Sequence, residues 1–314
     1  MISLDDVRAA RSRIVPYTRV TPVMTASAMR HPLDLEAEIV LKLELFQVTG
    51  SFKARGAMNR YLADRDSIPA AGIVTASGGN HGLAVARTAH AAGTRATIFV
   101  PTAVRPEKVE KMRGWNAEVR IVGDEWSVSN EAALAFAKET GASYFHPFAD
   151  PLVVAGQGTL GLEMVEQIAD LDAVVIAIGG GGLIAGLSTA IKALKPGIRI
   201  IGVEPEGSPT LAACMKAGRK VRLDAVTSRV ATMSCRETDE RIFEIVNRHV
   251  DEVVLVSDDS MLEASRWLWS EFGIAADLSG AASITALRRW PDRLAGARKI
   301  CALVCGAGSD GIGG

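Results

Sequence analysis

Lys53 stands in the stretch LFQVTGSFKARGAMNR, residues 45–60, in a setting that could make its amine reactive. It follows the aromatic Phe52, and the preceding TGS is typical of a helix start. Most lysines are solvated surface residues, and a lysine in a first helical turn fits that interpretation. The alternative is a half-buried lysine whose amine is held ready to react. These residues alone leave both interpretations open.

A run of glycines in AIGGGGLIAG indicates a phosphate site. Glycines let the backbone approach a ligand closely, and the start of the following helix carries a partial positive charge that suits an anion. Gly180, Gly182 and Ala185 also fit the dinucleotide pattern G-x-G-x-x-[GA]. Glu204 ends the next strand, where a ribose-binding acid would lie. Four consecutive glycines make a chance match easy, and a tight turn without a ligand is the remaining interpretation.

The loop TASGGNHG offers a possible carboxylate site. It presents the side chains of Ser77 and Asn80 and the amides of Gly78 and Gly79 where a helix begins. Ser and Asn are also good helix caps, so a capped helix start without a ligand is the alternative. His81 could act as a base, although a single histidine is more often structural.

The elements around these loops predict parallel sheets. Apolar strand-like runs alternate with amphipathic helix-like runs, as when DAVVIAI precedes LIAGLSTAIKALKPG. Continuous Val/Ile-rich strands in such an order are typical of sheets covered on both faces. Sites in these sheets form in loops at the carboxyl ends of strands. Three glycine-bearing loops fall there: TASGGNHG, AIGGGGLIAG and VCGAGSDG.

The composition limits the class of protein. A chain of 314 residues with 48% hydrophobic residues suits two packed units or one large α/β unit. The formal net charge of -1 gives no long-range attraction to nucleic acid or anionic lipid. The N-terminus lacks the apolar core of a signal peptide, and the longest apolar run is shorter than the ~20 residues of a membrane span. We therefore expect a cytoplasmic protein that contacts neither nucleic acid nor a membrane.

The four cysteines do not suggest a disulfide framework. No C-x-x-C pair occurs, and four cysteines are few for so long a chain. Cys301 and Cys305 lie in KICALVC, which we interpret as a buried strand with both thiols on one face. No further ligand cluster accompanies them, so a metal site there is not expected.

Several motifs together resemble one family. LELFQVTGSFKARGAMN, SGGNHGLA, AGQGTLGLE, GGGGLIAG, GVEPEG and VCGAGSDG occur in the order found in the tryptophan-synthase-like (fold type II) pyridoxal-phosphate enzymes. The resemblance is greatest to the threonine/serine dehydratase and serine racemase branch, and it runs from about Thr21 to the end. It implies two open parallel-sheet α/β domains, the smaller inserted in the larger, with the cofactor in the cleft between them. It also implies a homodimer.

The domain boundaries follow from one requirement. Lys53 and the phosphate glycines must meet at one cofactor, although the strands from GIVTA to SYFHP separate them along the chain. We therefore expect residues 72–148 to form the small domain. Residues 1–71 and 149–314 would form the large domain that binds pyridoxal 5'-phosphate.

The resemblance implies roles for particular residues. Lys53 would form the internal Schiff base, Phe52 would pack beside it, and Asn80 would donate to the ring oxygen next to the aldehyde. Cys305 would face the pyridine nitrogen, where the family usually has serine or threonine. The phosphate would be held by Gly179, Gly180, Gly181, Gly182 and Leu183, and the substrate carboxylate by Ser77, Gly78, Asn80 and His81.

The implied reaction removes water and ammonia from a β-hydroxy amino acid such as threonine or serine and leaves a 2-oxo acid. A free lysine, with a pKa near ~10.4, is a poor base at neutral pH until its surroundings lower that pKa. A neutral thiol at Cys305 would not hold the pyridine nitrogen protonated. This weakens the electron sink and favours loss of a β-leaving group over a long-lived carbanion.

The sequence departs from the family at several positions. Racemases of this branch carry a second serine where this chain has Gly78, so a racemase is the less favoured alternative. The family's cation site pairs a glutamate with an aspartate six residues later; Glu204 is present, but Thr210 replaces the aspartate. Glu204 therefore remains a possible ligand, and no metal site is predicted. TSRVATMSC replaces the usual ADG, and ADLSG, which contains Asp277, replaces EPSG.

Two other functions account for only part of the sequence pattern or are not favoured by it. A nicotinamide-dependent oxidoreductase built on the Gly180 turn would leave Lys53 and SGGNHG unexplained. A non-catalytic pyridoxal-phosphate carrier is not favoured, because every implied cofactor contact is present. The chain also ends soon after its last glycine loop, so we expect no C-terminal regulatory domain.

Overall fold

The computed structural model describes residues 1–312, which form alternating strands and helices. The strands are β1 Val23–Thr25, β2 Glu38–Lys42, β3 Ile73–Ala76, β4 Ala96–Val100, β5 Glu118–Ile121, β6 Ser143–Tyr144, β7 Ala173–Ala177, β8 Arg199–Pro205, β9 Glu252–Val256 and β10 Lys299–Leu303. The helices are α1 Leu4–Ile14, α2 Lys53–Ala63, α3 Asn80–Ala92, α4 Pro106–Arg113, α5 Trp126–Thr140, α6 Pro151–Gln167, α7 Gly182–Leu194, α8 Thr210–Ala217, α9 Glu240–His249, α10 Asp258–Phe272 and α11 Leu278–Arg289.

The larger sheet contains six strands in the order β1-β2-β10-β7-β8-β9. Only the β1–β2 pair of this sheet is antiparallel. The central strand β7 is apolar along its whole length, and every one of its residues is buried. This pattern is that of a strand covered on both faces by helices. The largest hydrophobic core of the described residues lies around this sheet.

The smaller sheet contains four parallel strands in the order β5-β4-β3-β6. Its inner strands β3 and β4 are entirely buried, whereas the edge strand β5 is mostly exposed. The predicted fold class is confirmed, since the chain forms two parallel-sheet α/β domains. The boundaries at residues 72 and 148 stay a prediction.

The three glycine-bearing loops follow β3, β7 and β10. All three strands run parallel to their neighbours, so these loops lie at the carboxyl ends of the two sheets. Cys305 departs from the expected strand position. The strand β10 ends at Leu303, and Cys305 lies two residues beyond it, although both Cys301 and Cys305 are buried. The prediction that both thiols lie on one face of this strand was therefore wrong.

Residues 1–312 contain no helix that is both long and apolar enough to cross a membrane.

Candidate active site

Lys53 is the first residue of α2 and is half-buried. Its Nζ donates a hydrogen bond to the carbonyl of Pro147 at 2.7 Å and lies 5.1 Å from the centre of the Phe52 ring. Removal from water disfavours the charged ammonium and lowers the pKa of Lys53 to about 8. The amine can therefore become neutral at a much lower pH than a solvated lysine.

The closing loop, residues 304–311, places the start of α2. The Phe52 amide donates to the Cys305 carbonyl at 3.3 Å, and the Ala307 amide donates to the Gly50 carbonyl at 2.8 Å. Gly50 has a φ of +78°, which favours glycine in this turn. Backbone pairing between distant parts of the chain thus brings Lys53 beside the closing loop.

A buried network of four charged side chains, the ion network, anchors α2 from its other side. Arg55 donates to Glu44 and to Glu163, each at 2.6 Å, and Lys42 donates to Glu163 at 2.9 Å. Two cations face two carboxylates, so the buried charges balance. Arg55 lies two residues after Lys53, and its bonds fix the first turn of the helix that carries the lysine.

The phosphate loop, residues 179–183, follows β7 and begins α7. None of the backbone amides from Gly179 to Ile184 donates a hydrogen bond to the described residues. Gly181 has a φ of +89°, and a Cβ built on Gly180 would lie 2.3 Å from the Phe148 ring. The loop therefore needs its glycines and presents free amides at a helix N-terminus, an arrangement that suits a phosphate.

The carboxylate loop, residues 77–81, follows β3 and begins α3. The Gly79 amide donates to the Ser77 hydroxyl at 3.3 Å. The amides of Gly78, Asn80 and His81 have no acceptor among the described residues. A second helix N-terminus with free amides thus lies in the candidate site, and it can receive a carboxylate.

The imidazole of His81 is used within the fold. Its Nε2 donates to the Phe145 carbonyl at 3.1 Å, and the side chain is buried. Burial, with a contribution from the charge of Lys53, lowers the pKa of His81 to about 3. The ring is therefore neutral, and the backbone amide of His81 is the group that remains available to a substrate carboxylate.

Asn80 and Cys305 each form a hydrogen bond to a residue at the start of α11. Asn80 Nδ2 donates to Asp277 Oδ2 at 3.1 Å. The Cys305 Sγ donates to the Ser279 carbonyl at 3.4 Å, and burial raises the pKa of this thiol far above its usual range. The Cys305 thiol is therefore neutral at physiological pH.

Gly78 lies against a side chain that the sequence pattern did not indicate. A Cβ built on Gly78 would be 2.1 Å from Cγ2 of Val104. Val104 belongs to the half-exposed turn between β4 and α4. The space that a side chain at position 78 would need is therefore filled.

Glu204 serves as a helix cap. Its two carboxylate oxygens accept the amides of Leu211 and Ala212 at 2.8 and 2.9 Å, at the start of α8. Its burial raises the pKa of Glu204 to about 7. Within residues 1–312, no group of three or more His, Cys, Asp or Glu side chains is placed to hold a metal ion.

Sequence reasoning missed the crossover segment, residues 145–148. Its carbonyls accept hydrogen bonds from Lys53 and His81, and the Phe148 ring packs on Gly180. Backbone acceptors leave no signal in side-chain types, so only the fold could locate them.

Thr232 and Asp277 also contribute to the site without a predicted role. A Cβ built on Gly179 would lie 2.9 Å from the carbonyl oxygen of Thr232. A Cβ built on Gly79 would lie 3.7 Å from the side-chain methyl of Thr232. The segment TSRVATMSC thus bridges the phosphate and carboxylate loops. For Asp277 a signal did exist, because Asp followed by LSG is a typical helix cap.

These residues fit pyridoxal phosphate. The cofactor carries a phosphate, which suits the free amides of the phosphate loop, and an aldehyde, which suits the low-pKa amine of Lys53. Asn80 and Cys305 offer polar contacts for its ring.

Comparisons with known proteins identify the family of this chain. The model of the family "Pyridoxal-phosphate dependent enzyme" matches residues 14–306. The L-threonine ammonia-lyase of Thermotoga maritima is 36% identical over 91% of this chain and 71% of its own length. The phenylserine dehydratase of Ralstonia pickettii is 34% identical over 98% of this chain and 93% of its own length.

Two solved structures have the same fold over nearly the whole chain. Maize serine racemase superposes with a TM-score of 0.91 at 30% identity and covers 97% of this chain and 93% of its own. A threonine deaminase from T.th. has a TM-score of 0.89 at 37% identity and covers 98% of both chains. The family predicted from the sequence motifs is confirmed: the chain belongs to the pyridoxal-phosphate-dependent enzymes of fold type II.

Proposed function

We propose that the protein eliminates water from a β-hydroxy amino acid such as threonine or serine and releases a 2-oxo acid and ammonia. The observation that carries this proposal is the arrangement around Lys53. A low-pKa lysine amine lies at a site where two helix N-termini, those of α3 and α7, present unpaired amides. One anion site suits the cofactor phosphate and the other the substrate carboxylate. Relatives named for threonine and phenylserine elimination support the same class of reaction.

The bound cofactor would act as an electron sink that acidifies the α-carbon of the amino acid. Lys53 would hold the cofactor and then, as a neutral amine, take the α-proton. Its lowered pKa makes it a base suited to near-neutral pH. The carboxylate loop would orient the substrate so that this α-hydrogen faces Lys53.

The remaining predicted residues would set the cofactor ring. Asn80 would donate to the ring oxygen, and Phe52 would pack beside the lysine. Cys305 would meet the pyridine nitrogen with a neutral thiol, because burial keeps that thiol protonated. A neutral partner at this nitrogen favours prompt loss of the β-hydroxyl.

We also propose that residues 72–148 act as the small domain and the remainder as the large domain. The two sheets, joined through the crossover segment, support this division. We further propose a cytoplasmic homodimer without a nucleic-acid or membrane partner. The free cysteines and the net charge of -1 support a reducing compartment and a small-molecule substrate.

The test is an assay of the purified holoenzyme with L-threonine, L-serine and β-phenylserine, in which 2-oxo acid and ammonia are measured together. Lys53→Ala is the matched control, and it should lose both turnover and the borohydride-sensitive absorbance of the bound cofactor. Equal release of oxo acid and ammonia by the wild type alone would support the proposal. Inversion of serine without release of oxo acid would favour the racemase alternative instead.

A further inference from the structure

Few hydrogen bonds join residues 72–148, the proposed small domain, to the rest of the protein. Apart from the chain crossings themselves, two hydrogen bonds among the described residues link residues 72–148 to the remainder. One runs from Lys53 Nζ to the Pro147 carbonyl, and the other from Asn80 Nδ2 to Asp277 Oδ2. The ion pairs that this segment makes stay within it. Both links therefore involve candidate site residues.

Asp277 is held rigidly on the large-domain side of the second link. Its Oδ1 accepts the Gly280 amide at 2.6 Å and the Ser279 hydroxyl at 2.7 Å, which caps α11. A Cβ built on Gly306 would lie 2.7 Å from Oδ2, so the glycine there leaves room for the carboxylate. With Oδ1 occupied by the cap, Oδ2 is free to face Asn80.

The same corner positions the second candidate ring contact. The Asp277 amide donates to the Gly306 carbonyl at 3.1 Å, next to Cys305 in the closing loop. Cys305 itself donates to the carbonyl of Ser279, two residues after Asp277. Asn80 from the small domain and Cys305 from the large domain therefore both depend on the first turn of α11.

We propose that Asp277 is a positioning residue that holds one N–H of the Asn80 amide, so that the second N–H is directed at the ring oxygen of the cofactor. An amide NH₂ group has two donors, and the bond to Asp277 uses one of them. A carboxylate is a strong acceptor and fixes the amide better than water would. The carboxylate loop is thereby kept in register with Lys53. This inference rests on the proposed function only for the contact between Asn80 and the cofactor.

The experiment removes the hydrogen bond between Asn80 and Asp277 and keeps the cap that residue 277 provides to α11. Asn and Ser both cap helices well, so Asp277→Asn and Asp277→Ser should preserve α11. In Asp277→Asn, the side-chain NH₂ of residue 277 would face the Asn80 NH₂, and two donors cannot form a hydrogen bond. In Asp277→Ser, the side chain is too short to reach Asn80. Asp239→Asn is the matched control, because Asp239 caps α9 and, among residues 1–312, its carboxylate bonds only Arg241.

Two measurements follow the link separately from turnover. In the apoenzyme, amide hydrogen exchange of residues 77–83 should become faster in both Asp277 variants and stay unchanged in Asp239→Asn. Cofactor affinity should fall about tenfold, the factor for loss of one hydrogen bond to a charged group. The absorbance maximum of the bound cofactor should also shift, because the ring oxygen loses its fixed donor.

A swapped pair separates the two parts of the proposal. In the double variant Asn80→Asp with Asp277→Asn, the hydrogen bond re-forms in the opposite direction, so exchange protection should return. The absorbance should stay shifted, since the new carboxylate at position 80 has no N–H for the ring.

The proposal is overturned if both Asp277 variants match the wild type in exchange and affinity, or if Asp239→Asn changes them equally. Either Asp277 variant suffices if the other does not fold. An enzyme that releases no 2-oxo acid from any tested substrate would sink the proposed function, yet these binding measurements would still decide the role of Asp277.

Discussion

At the scale of single residues, the candidate site depends on groups whose charge is changed by burial. The ammonium of Lys53 is destabilised, which lowers its pKa to about 8, and the thiol of Cys305 is kept neutral. His81 and His146 both lie near the charge of Lys53, and burial lowers their pKa values to about 3 and about 4. At neutral pH both imidazoles are therefore uncharged, whereas Lys53, with a pKa of about 8, is still largely protonated.

The lowered pKa of Lys53 predicts how fast the apoenzyme takes up pyridoxal phosphate at different pH values. The neutral amine attacks the aldehyde, so the rate should fall about tenfold per pH unit below the pKa and level off above it. We expect a midpoint near pH 8 instead of the value of 10.5 for a solvated lysine. Stopped-flow absorbance would measure the rate, with Nα-acetyl-lysine as the reference amine. A midpoint near that of the reference would contradict the burial argument.

Gly78 and Val104 lead to a prediction about reaction type. Gly78→Ser alone should disturb the carboxylate loop, because even a Cβ would lie 2.1 Å from Val104. Gly78→Ser with Val104→Ala should restore elimination and add slow racemisation of serine. The gain should be small, because even a well-placed general acid contributes only ~100- to 10,000-fold and a grafted serine lacks its supporting contacts.

Chiral chromatography of recovered serine in deuterated water would measure this racemisation, and Val104→Ala alone is the control. Ready racemisation by the wild type would show that another group donates the proton on that face.

At the scale of elements, the phosphate loop illustrates how packing fixes a ligand site. We predict that Gly180→Ala weakens cofactor binding at least tenfold, because its Cβ would meet the Phe148 ring at 2.3 Å and push the free amides out of place. Gly197→Ala, in the turn after α7, is the matched control, since nothing lies within 4 Å of its Cβ. Fluorescence titration of the apoenzymes would measure both affinities. Equal affinities for the two variants would show that the loop tolerates a side chain.

The ion network that anchors α2 should contribute strongly to stability. Arg55→Met would leave Glu44 and Glu163 buried without their main partner, which typically costs about 3–5 kcal/mol in the free energy of unfolding. Arg113→Met is the control, because its pair with Glu110 is exposed and should be worth under about 1 kcal/mol. Urea denaturation would give both values. If the two losses were similar, the network would not anchor the helix.

The sequence indicated the loops of this site better than the contacts between them. Glycine and helix-cap patterns are local, so the positions of the phosphate and carboxylate loops at strand ends could be predicted. The contact of Val104 with Gly78 and that of Phe148 with Gly180 join residues that are distant in sequence. Such contacts follow from how the helices and sheets pack, and no local pattern encodes them.

At the scale of the whole molecule, two sheets with separate cores share one site. The central strand β7 of the larger sheet is wholly buried, whereas the smaller sheet ends in the exposed strand β5. The hydrogen bonds that join the domains are few, as described above, and α2 packs against both α3 and α6. Binding of a cofactor between the domains would therefore add polar contacts where the protein itself has few hydrogen bonds.

This architecture predicts two levels of cooperative opening. Amides in β3 and β4 should exchange through opening of the small domain alone, while those in β7 and β10, at the centre of the larger sheet, should exchange only on global unfolding. Hydrogen exchange with mass spectrometry on the apoenzyme would show faster exchange in strands β3 and β4 than in strands β7 and β10. Adding pyridoxal phosphate should slow amide exchange in β3 and β4 more than in β7 and β10, because a ligand that contacts both domains stabilises the closed form. Equal rates for both pairs in the apoenzyme would mean that the two sheets unfold as one unit.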